Sequence, residues 1–279
     1  MRFGVHCRLW TTGWSNANLD LIEHAKTLGF SAFEISLLNL AGIDPACIRQ
    51  RAEAAGIEVV GGIGLPQDKA LATADQALRE QTIAYLKAAV EAARAMGARL
   101  FIGMMYATPG KFSGQPPTPD EIRWITDGLA ELAQFARRRD ITLAIEPVNR
   151  YETYLLNTAA QAQAIVDAIA EPNVGLLLDT YHMNIEERGI PDTIRRHAQS
   201  LRHLHLNESD RGMLGGGNVD WAGLFATLKE TRYQGIGSIE TFGATSPEIP
   251  VITSIWRPLF PSPDTLAREG LAFLTAQAK

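Results

Sequence analysis

Cysteine is scarce: Cys7 and Cys47 are the 2 thiols in a chain of 279 residues. Two thiols cannot build the disulfide framework of a small secreted fold, so a reducing compartment fits. Positive charge is not in excess either, the formal net charge being -5. Binding nucleic acid or an anionic membrane by counterion release needs clustered Lys and Arg, so neither partner is expected. The one basic run, Arg137-Arg138-Arg139, stands where a helix should end and reads as a solvated C-terminus complementing the helix dipole. No apolar stretch approaches the roughly 20 residues that a bilayer span requires. The opening MRFGVHCRLW lacks the apolar core of a signal peptide. A cytoplasmic protein is expected, in which the sequon Asn207-Glu208-Ser209 has no glycan to carry.

What is present is an ordinary globular balance, 46% hydrophobic and 20% charged, in a length that suits a single α/β barrel of roughly 250 residues. One pattern recurs: an amphipathic, Ala-rich stretch, then Gly or a short polar break, then a short β-branched run. After the opening RFGVHC (2–7) come LGFSAFEIS (28–36), AAGIEVVGGIG (54–64), AMGARLFIGMM (95–105) and RRRDITLAIEP (137–147). EPNVGLLLD (171–179), SLRHLHLN (200–207) and YQGIGSIETF (233–242) complete eight candidate strands. Gly29, Gly56, Gly97 and Gly235 stand where a helix C-cap needs a left-handed residue. The runs after them are short and nearly all apolar, as parallel strands buried on both faces are. The stretch 72–97 is the clearest helix, with Leu78, Ile83, Leu86, Ala89, Val90 and Ala93 on one stripe. Strand and helix alternate throughout, which predicts a parallel sheet, and eight units close into a (β/α)8 TIM barrel spanning 1–279 as one domain. An open doubly wound sheet is disfavoured, because no Gly-rich phosphate loop follows the first strand. The irregular segments 108–119 and 243–263 follow strands 4 and 8, at one end of such a barrel, where long loops shape or cover a site.

The polar residues fall in a pattern. Strand 5 ends in Glu146, strand 6 in Asp179 and strand 8 in Glu240, while strand 7 carries His205 near its end. The C-terminal mouth is where barrels of this kind place their chemistry. Side chains two apart share a strand face, so His203 and His205 point the same way, as do Ala144 and Glu146, and Ser238 and Glu240. Any one of these acids alone could be an N-cap or a salt-bridge partner. Three carboxylates and an imidazole converging on one point repel one another unless a divalent cation sits among them. Oxygen-rich ligation with one nitrogen suits Mn²⁺, Co²⁺ or Mg²⁺ better than structural zinc. Glu152, His182 and Arg211 lie just past strands 5, 6 and 7 and would surround a polyhydroxylated substrate with donors and an acceptor. Each is unremarkable alone, and Glu186-Glu187 reads as a solvated helix face. Met213-Leu-Gly-Gly-Gly-Asn218 follows strand 7, where barrels build phosphate sites, but no lysine accompanies it.

Glu146-Pro-Val-Asn-Arg-Tyr-Glu152, Asp179-Thr-Tyr-His182-Met-Asn-Ile-Glu-Glu and His203-Leu-His205 resemble the ketose 3-epimerases of the D-tagatose, D-allulose and L-ribulose group, within the xylose-isomerase-like TIM barrels. LGFSAFEIS, GGIGLP, Ile239-Glu240 and Trp256-Arg257 extend the likeness over nearly the whole chain. The resemblance implies Glu146, Asp179, His205 and Glu240 as ligands of a divalent metal, Mn²⁺ first, and Glu146 and Glu240 as the acid/base pair. It implies Glu152, His182 and Arg211 on the substrate oxygens O1 and O2. The expected reaction inverts a free ketose at C3 through a cis-enediolate. Aldose–ketose or hydroxypyruvate-type isomerisation on the same barrel is the alternative. Assembly into a homodimer or homotetramer also rests on the resemblance. His6, Trp14 and Phe242 are candidate pocket walls, core packing being the other explanation for the two aromatic rings. Strand 1 ends Val5-His6-Cys7-Arg8, where many members of the group have aromatic residues, and that departure bears on the identity of the sugar.

Overall fold

Gly29, Gly56 and Gly97 take left-handed conformations, with φ of 103°, 63° and 90°, where each helix hands over to a strand. The computed structural model describes residues 1–243, 253 and 255–279. Gly235 departs from the expected role. After the helix that precedes it, the left-handed residue is Arg232, with φ of 55°. Gly235 is needed for room instead, since a Cβ there would lie 2.3 Å from the Tyr233 hydroxyl, which donates to the Ile236 carbonyl.

The repeating pattern resolves into β1 (Arg2–His6), α1 (Asp20–Thr27), β2 (Ala32–Ser36), α2 (Pro45–Ala55), β3 (Glu58–Gly62), α3 (Gln76–Ala95), β4 (Leu100–Gly103) and α4 (Pro119–Arg137). The second half continues with β5 (Thr142–Ile145), α5 (Ala159–Ile169), β6 (Val174–Asp179), α6 (Thr180–Glu186), α7 (Ile190–His197), β7 (Leu201–His205), α8 (Trp221–Glu230) and β8 (Ile236–Ile239). A C-terminal helix, Pro263–Gln277, closes the chain. Helix α3 starts at Gln76, later than the amphipathic pattern alone suggests, because the Asp75 side chain caps it by accepting from the Leu78 amide. The eight strands form a closed barrel in chain order, with every neighbouring pair parallel. The TIM barrel expected from the alternation is therefore the fold. No helix among the described residues is long and apolar enough to cross a membrane.

Pleat alternation sorts the core into two layers. Phe33, Ile35, Leu143, Ile145, Leu204 and Leu206 face outward into the large cluster shared with the helices. Ala32, Val60, Ile102, Ala144, Leu177 and Ile236 form a separate plug inside the barrel. Two residues further along the same faces stand Glu34, Asp179 and Ser238, so the plug is the floor on which the polar mouth is built. A register shift between Leu176 and Leu177 brings Leu177 beside His203 and Asp179 beside His205. That irregularity aims the Asp179 and His205 side chains at one another's neighbourhood.

Candidate active site

The four strand-end residues converge. Each offers one ligand atom, and these atoms all lie within 4.8 Å of one another. The two glutamates sit one residue beyond their strands, which end at Ile145 and Ile239. Both of their backbone amides are nevertheless paired. The Glu146 amide donates to the Gly103 carbonyl at 3.2 Å, and the Glu240 amide donates to Asn207 Oδ1 at 2.8 Å. His205 Nδ1 is 3.4 Å from Glu146 Oε1 and 3.4 Å from Glu240 Oε2, with Asp179 Oδ2 at 4.0 Å.

Glu146 Oε1 and His205 Nδ1 are both buried with no hydrogen-bond partner. Buried polar atoms are nearly always paired, so two orphans on facing members of one cluster fit a donor set built for a divalent cation. The electrostatics agree. Burial raises the Glu146 carboxyl and pushes Asp179 up to about 7. Burial would raise Glu240 too, but His205 and Arg211 outweigh it and hold that carboxyl well below the usual range. The negative charges of Glu240 and Glu34 outweigh burial at His205 and hold its proton well above the ordinary imidazole value. A cation would take the place of that proton.

Two positioning residues escaped the sequence reading. Asn207 Nδ2 donates to both Asp179 oxygens, at 3.0 and 2.9 Å, while its Oδ1 receives the Glu240 amide. It continues the inward face of His203 and His205, and that parity was the signal. Glu34, fully buried on β2, sits 2.5 Å from His203 Nε2 and 3.1 Å from His205 Nε2. Holding Nε2 turns Nδ1 of His205 toward the cluster, the usual way a carboxylate fixes a ligating imidazole. A charged residue in the middle of an otherwise apolar strand was the overlooked sign.

Above the cluster opens a cavity of about 320 Å³ whose walls include Glu146, Glu152, His182, Arg211, Glu240 and Phe242. His6 borders it as well. Burial drives the His6 imidazole down to about 4. His182 is also held well below the ordinary imidazole value, first by burial and then by the Arg211 charge. Its Nδ1 accepts from the Asn149 amide at 3.1 Å, and its Nε2, on the cluster side, lies 3.3 Å from Arg211 Nη2. Arg211 is enclosed by Glu240, Asp179 and Glu152 at 3.4, 3.6 and 3.9 Å. Its guanidinium lies over the rings of Tyr181 and Phe242, 4.2 and 4.8 Å from their centres.

Trp14 does not join this wall. Its ring is buried edge-on against Phe33, 5.7 Å between centres, where the apolar outward face of β2 offers a better surface than the polar mouth. Nor are Glu186 and Glu187 a solvated face. Glu186 clamps Arg150 through Nε and Nη2 at 2.9 and 2.8 Å, and Glu187 accepts from the Ala159 amide at 2.8 Å. The pair ties the loop bearing Asn149 and Glu152 to α6. In the glycine run after β7 the Glu208 carboxylate takes the amides of Gly215 and Val219 at 2.9 and 3.1 Å and the Trp221 indole at 2.9 Å. An internal anion thus occupies donors that a phosphate would use. Pro109 of the 108–119 loop and Thr253 reach the cavity, while most of the segment after β8, residues 244–252 and 254, lies outside the described residues.

Comparison with known proteins points to one family. A family model described as xylose isomerase-like TIM barrel matches residues 22–277. An L-ribulose 3-epimerase from Mesorhizobium japonicum is 34% identical over 276 residues, 98% of this chain and 93% of that protein. A probable ketose 3-epimerase from Synechocystis is 32% identical over 274 residues, covering 98% and 96% of the two chains. The crystal structure of a D-allulose 3-epimerase from Methylomonas in complex with D-allulose superposes with a TM-score of 0.94 at 31% identity, over 99% of this chain and 97% of that one.

Proposed function

Since the chain belongs to the xylose isomerase-like TIM barrel family, among its ketose 3-epimerases, we propose that it inverts a free ketose at C3, with Glu146 and Glu240 as the acid/base pair. The observation that carries this is the presence of two separate glutamates beside His205, each 3.4 Å from Nδ1, in the wall of the cavity. Epimerisation needs one group to remove the C3 proton and another to return a proton to the opposite face, and a single acid could not do both.

Glu146, Asp179, His205 and Glu240 would hold a divalent metal, for which the oxygen-rich set favours Mn²⁺, Co²⁺ or Mg²⁺. When bound, such a cation polarises the C2 carbonyl and makes the C3 hydrogen more acidic. The protein residues do the rest. One glutamate takes the C3 proton, leaving a cis-enediolate, and the other delivers a proton from the far side. The two are tuned apart by their surroundings, Glu146 upward through burial and Glu240 downward through His205 and Arg211. His182 and the Arg211 guanidinium bind O1 and O2, while Glu152, oriented by Asn149 Nδ2 at 3.1 Å, accepts from a hydroxyl. Glu208 closes the glycine loop after β7 to an outside anion, which supports an unphosphorylated group at that end.

The test is incubation of the Mn²⁺-loaded protein in D₂O with D-fructose, D-tagatose and L-ribulose separately. Deuterium at C3 together with the C3 epimer is expected. Deuterium at C1 with an aldose product would assign the protein to aldose–ketose isomerisation, and the absence of exchange with every ketose would remove the epimerase reading.

A further inference from the structure

The three acids of the cluster are held in different ways. Both Asp179 oxygens receive Asn207 Nδ2, and Glu240 Oε2 has Arg211 Nη2 at 3.4 Å. Glu146 Oε1, the oxygen beside His205, is buried without a hydrogen-bond partner. Its aim then depends on the main chain that carries it, and a reacting group must be held within a fraction of an ångström.

That main chain is pinned from the side. Tyr106, three residues past β4, is fully buried. Its hydroxyl donates to the Glu146 carbonyl at 3.0 Å and the Leu156 carbonyl at 3.1 Å, which share its one proton. The Leu156 carbonyl also receives the Val148 amide at 3.1 Å. The phenol therefore joins the two ends of the loop that carries Glu152. The segment after Tyr106 meets this loop again, where the Gly110 amide donates to the Glu152 carbonyl at 2.8 Å and Lys111 pairs with Thr153. Its other flank is tied to the loop after β3. Thr108 Oγ1 lies 3.0 and 3.1 Å from the Pro66 and Lys69 carbonyls, and the Leu65 amide donates to the Ala107 carbonyl at 3.2 Å. Tyr106 thus presses on the end of β5 from a segment braced on both sides.

Packing alone would place a tyrosine hydroxyl on whatever carbonyls lie near, and Tyr233 is such a case. Its hydroxyl donates to the Arg202 and Ile236 carbonyls at 3.3 and 2.9 Å, at the end of the barrel away from the mouth. The two tyrosines do the same for the backbone, but Tyr106 does it at an acid/base residue. We propose that Tyr106 is a positioning residue for Glu146, its hydroxyl fixing the chain after β5 so that the carboxylate is aimed at the cluster. The inference rests on the C3 chemistry proposed above. Tyr106 moves no proton in it and touches no substrate atom.

The experiment compares Tyr106→Phe with Tyr233→Phe, in which a matched hydroxyl is lost far from the mouth. The readouts are kcat and KM at saturating Mn²⁺ for whichever of D-fructose, D-tagatose and L-ribulose the native protein epimerises fastest, Mn²⁺ affinity by chelator competition, and the thermal midpoint. The rings stay in place, so both variants should fold, as circular dichroism checks, and both midpoints should drop by a few degrees. Tyr106→Phe alone should lower kcat by about tenfold to a hundredfold with KM within about twofold, and weaken Mn²⁺ binding by about tenfold. Tyr233→Phe should leave kcat and affinity within about twofold. Native kcat and affinity in Tyr106→Phe, or equal losses in the two variants, would overturn the positioning role while C3 exchange by the native protein keeps the epimerase reading. If the native protein exchanges C3 in no ketose, the C3 chemistry falls, and the Mn²⁺ affinities of the two variants still decide whether Tyr106 positions Glu146.

Discussion

Strands β5 to β8 each deliver one side chain of the candidate metal cluster to the mouth of the barrel, whereas β1, β3 and β4 end in His6, Gly62 and Gly103, which border the cavity without joining the cluster. The late half is dense in hydrogen bonds between side chains that must not move relative to one another: Asp179 to Asn207, Asn207 to the Glu240 amide, Asn149 to His182. The early half is glycine, backbone and a half-buried arginine. On the proposed reading, one half of the closed barrel sets the chemistry and the other sets the space that a substrate occupies. Glu34 on β2 is a carboxylate of the early half that crosses over, gripping His203 and His205 from beneath.

The largest expected effect tests the late half directly. Glu146→Gln and Glu240→Gln should each lower kcat by about a thousandfold or more, in the upper part of the range for losing a general acid or base. Circular dichroism and the thermal midpoint should be close to those of the native protein, since Gln keeps the shape. Substantial turnover in both variants would break the division between the halves, because the chemistry would then lie elsewhere.

A smaller effect is expected across the divide. In Glu34→Gln one of the two histidine contacts loses its charge, and Mn²⁺ affinity, read by chelator competition, should weaken by about tenfold to a hundredfold. Arg8→Gln, which belongs to the cavity wall alone, should leave that affinity within about twofold. An unchanged affinity in Glu34→Gln would reduce the grip on His205 to mere packing and confine metal chemistry wholly to the late half.

These expectations depend on features of unequal legibility. The eight-unit repeat and the strand-end residues of β5 to β8 could be read from the chain, because each ligand stands alone at the end of an apolar run and the period of a strand assigns its face. Asn207 was missed although the same parity points to it, since an amide next to a polar loop looks ordinary. Trp14, Glu186 and Gly235 went the other way. Whether a ring faces the pocket or Phe33, whether a helix acid faces water or Arg150, and which residue after a helix turns left-handed are all decided by partners distant in sequence. The early half is the less legible one for the same reason. Glycine and backbone shape a cavity through what they leave empty, and a string of residues does not display empty space.

Next in size is the loop that joins β7 to α8. Glu208 is buried, and although burial alone would raise its carboxyl, the amides of Ser209, Val219 and Gly215 and the Trp221 indole outweigh it and hold it below the usual range. Glu208→Gln should destabilise the fold by about 2 kcal/mol in urea melts at neutral pH, the scale of a buried donor group losing its charged acceptor. The sign with pH follows from the depressed folded value. The contribution of Glu208 is fully present above the unfolded carboxylate pKa and is lost as pH falls through the folded one. The native protein should therefore lose stability on acidification more steeply than the variant, and parallel acid limbs would contradict the assignment.

The smallest effect concerns the early half's rigidity. Cys7 lies between His6 and Arg8, fully buried, with its thiol pushed up to about 12 by burial, and its Sγ accepts from the Ser36 amide at 3.4 Å. Cys47 is only partly buried on α2, and its thiol, raised by its hydrogen bond to Asp44, is the accessible one. In the native state a thiol reagent such as DTNB should modify Cys47 slowly and leave Cys7 untouched until the chain is unfolded, because a thiolate is the reacting form and Cys7 can neither ionise nor be reached. A wall that shapes a cavity by geometry alone must hold still to discriminate. Modification of Cys7 at the rate of Cys47 would mean that the end of β1 opens readily, and the space-setting role of the early half would then need an ordering step on substrate binding.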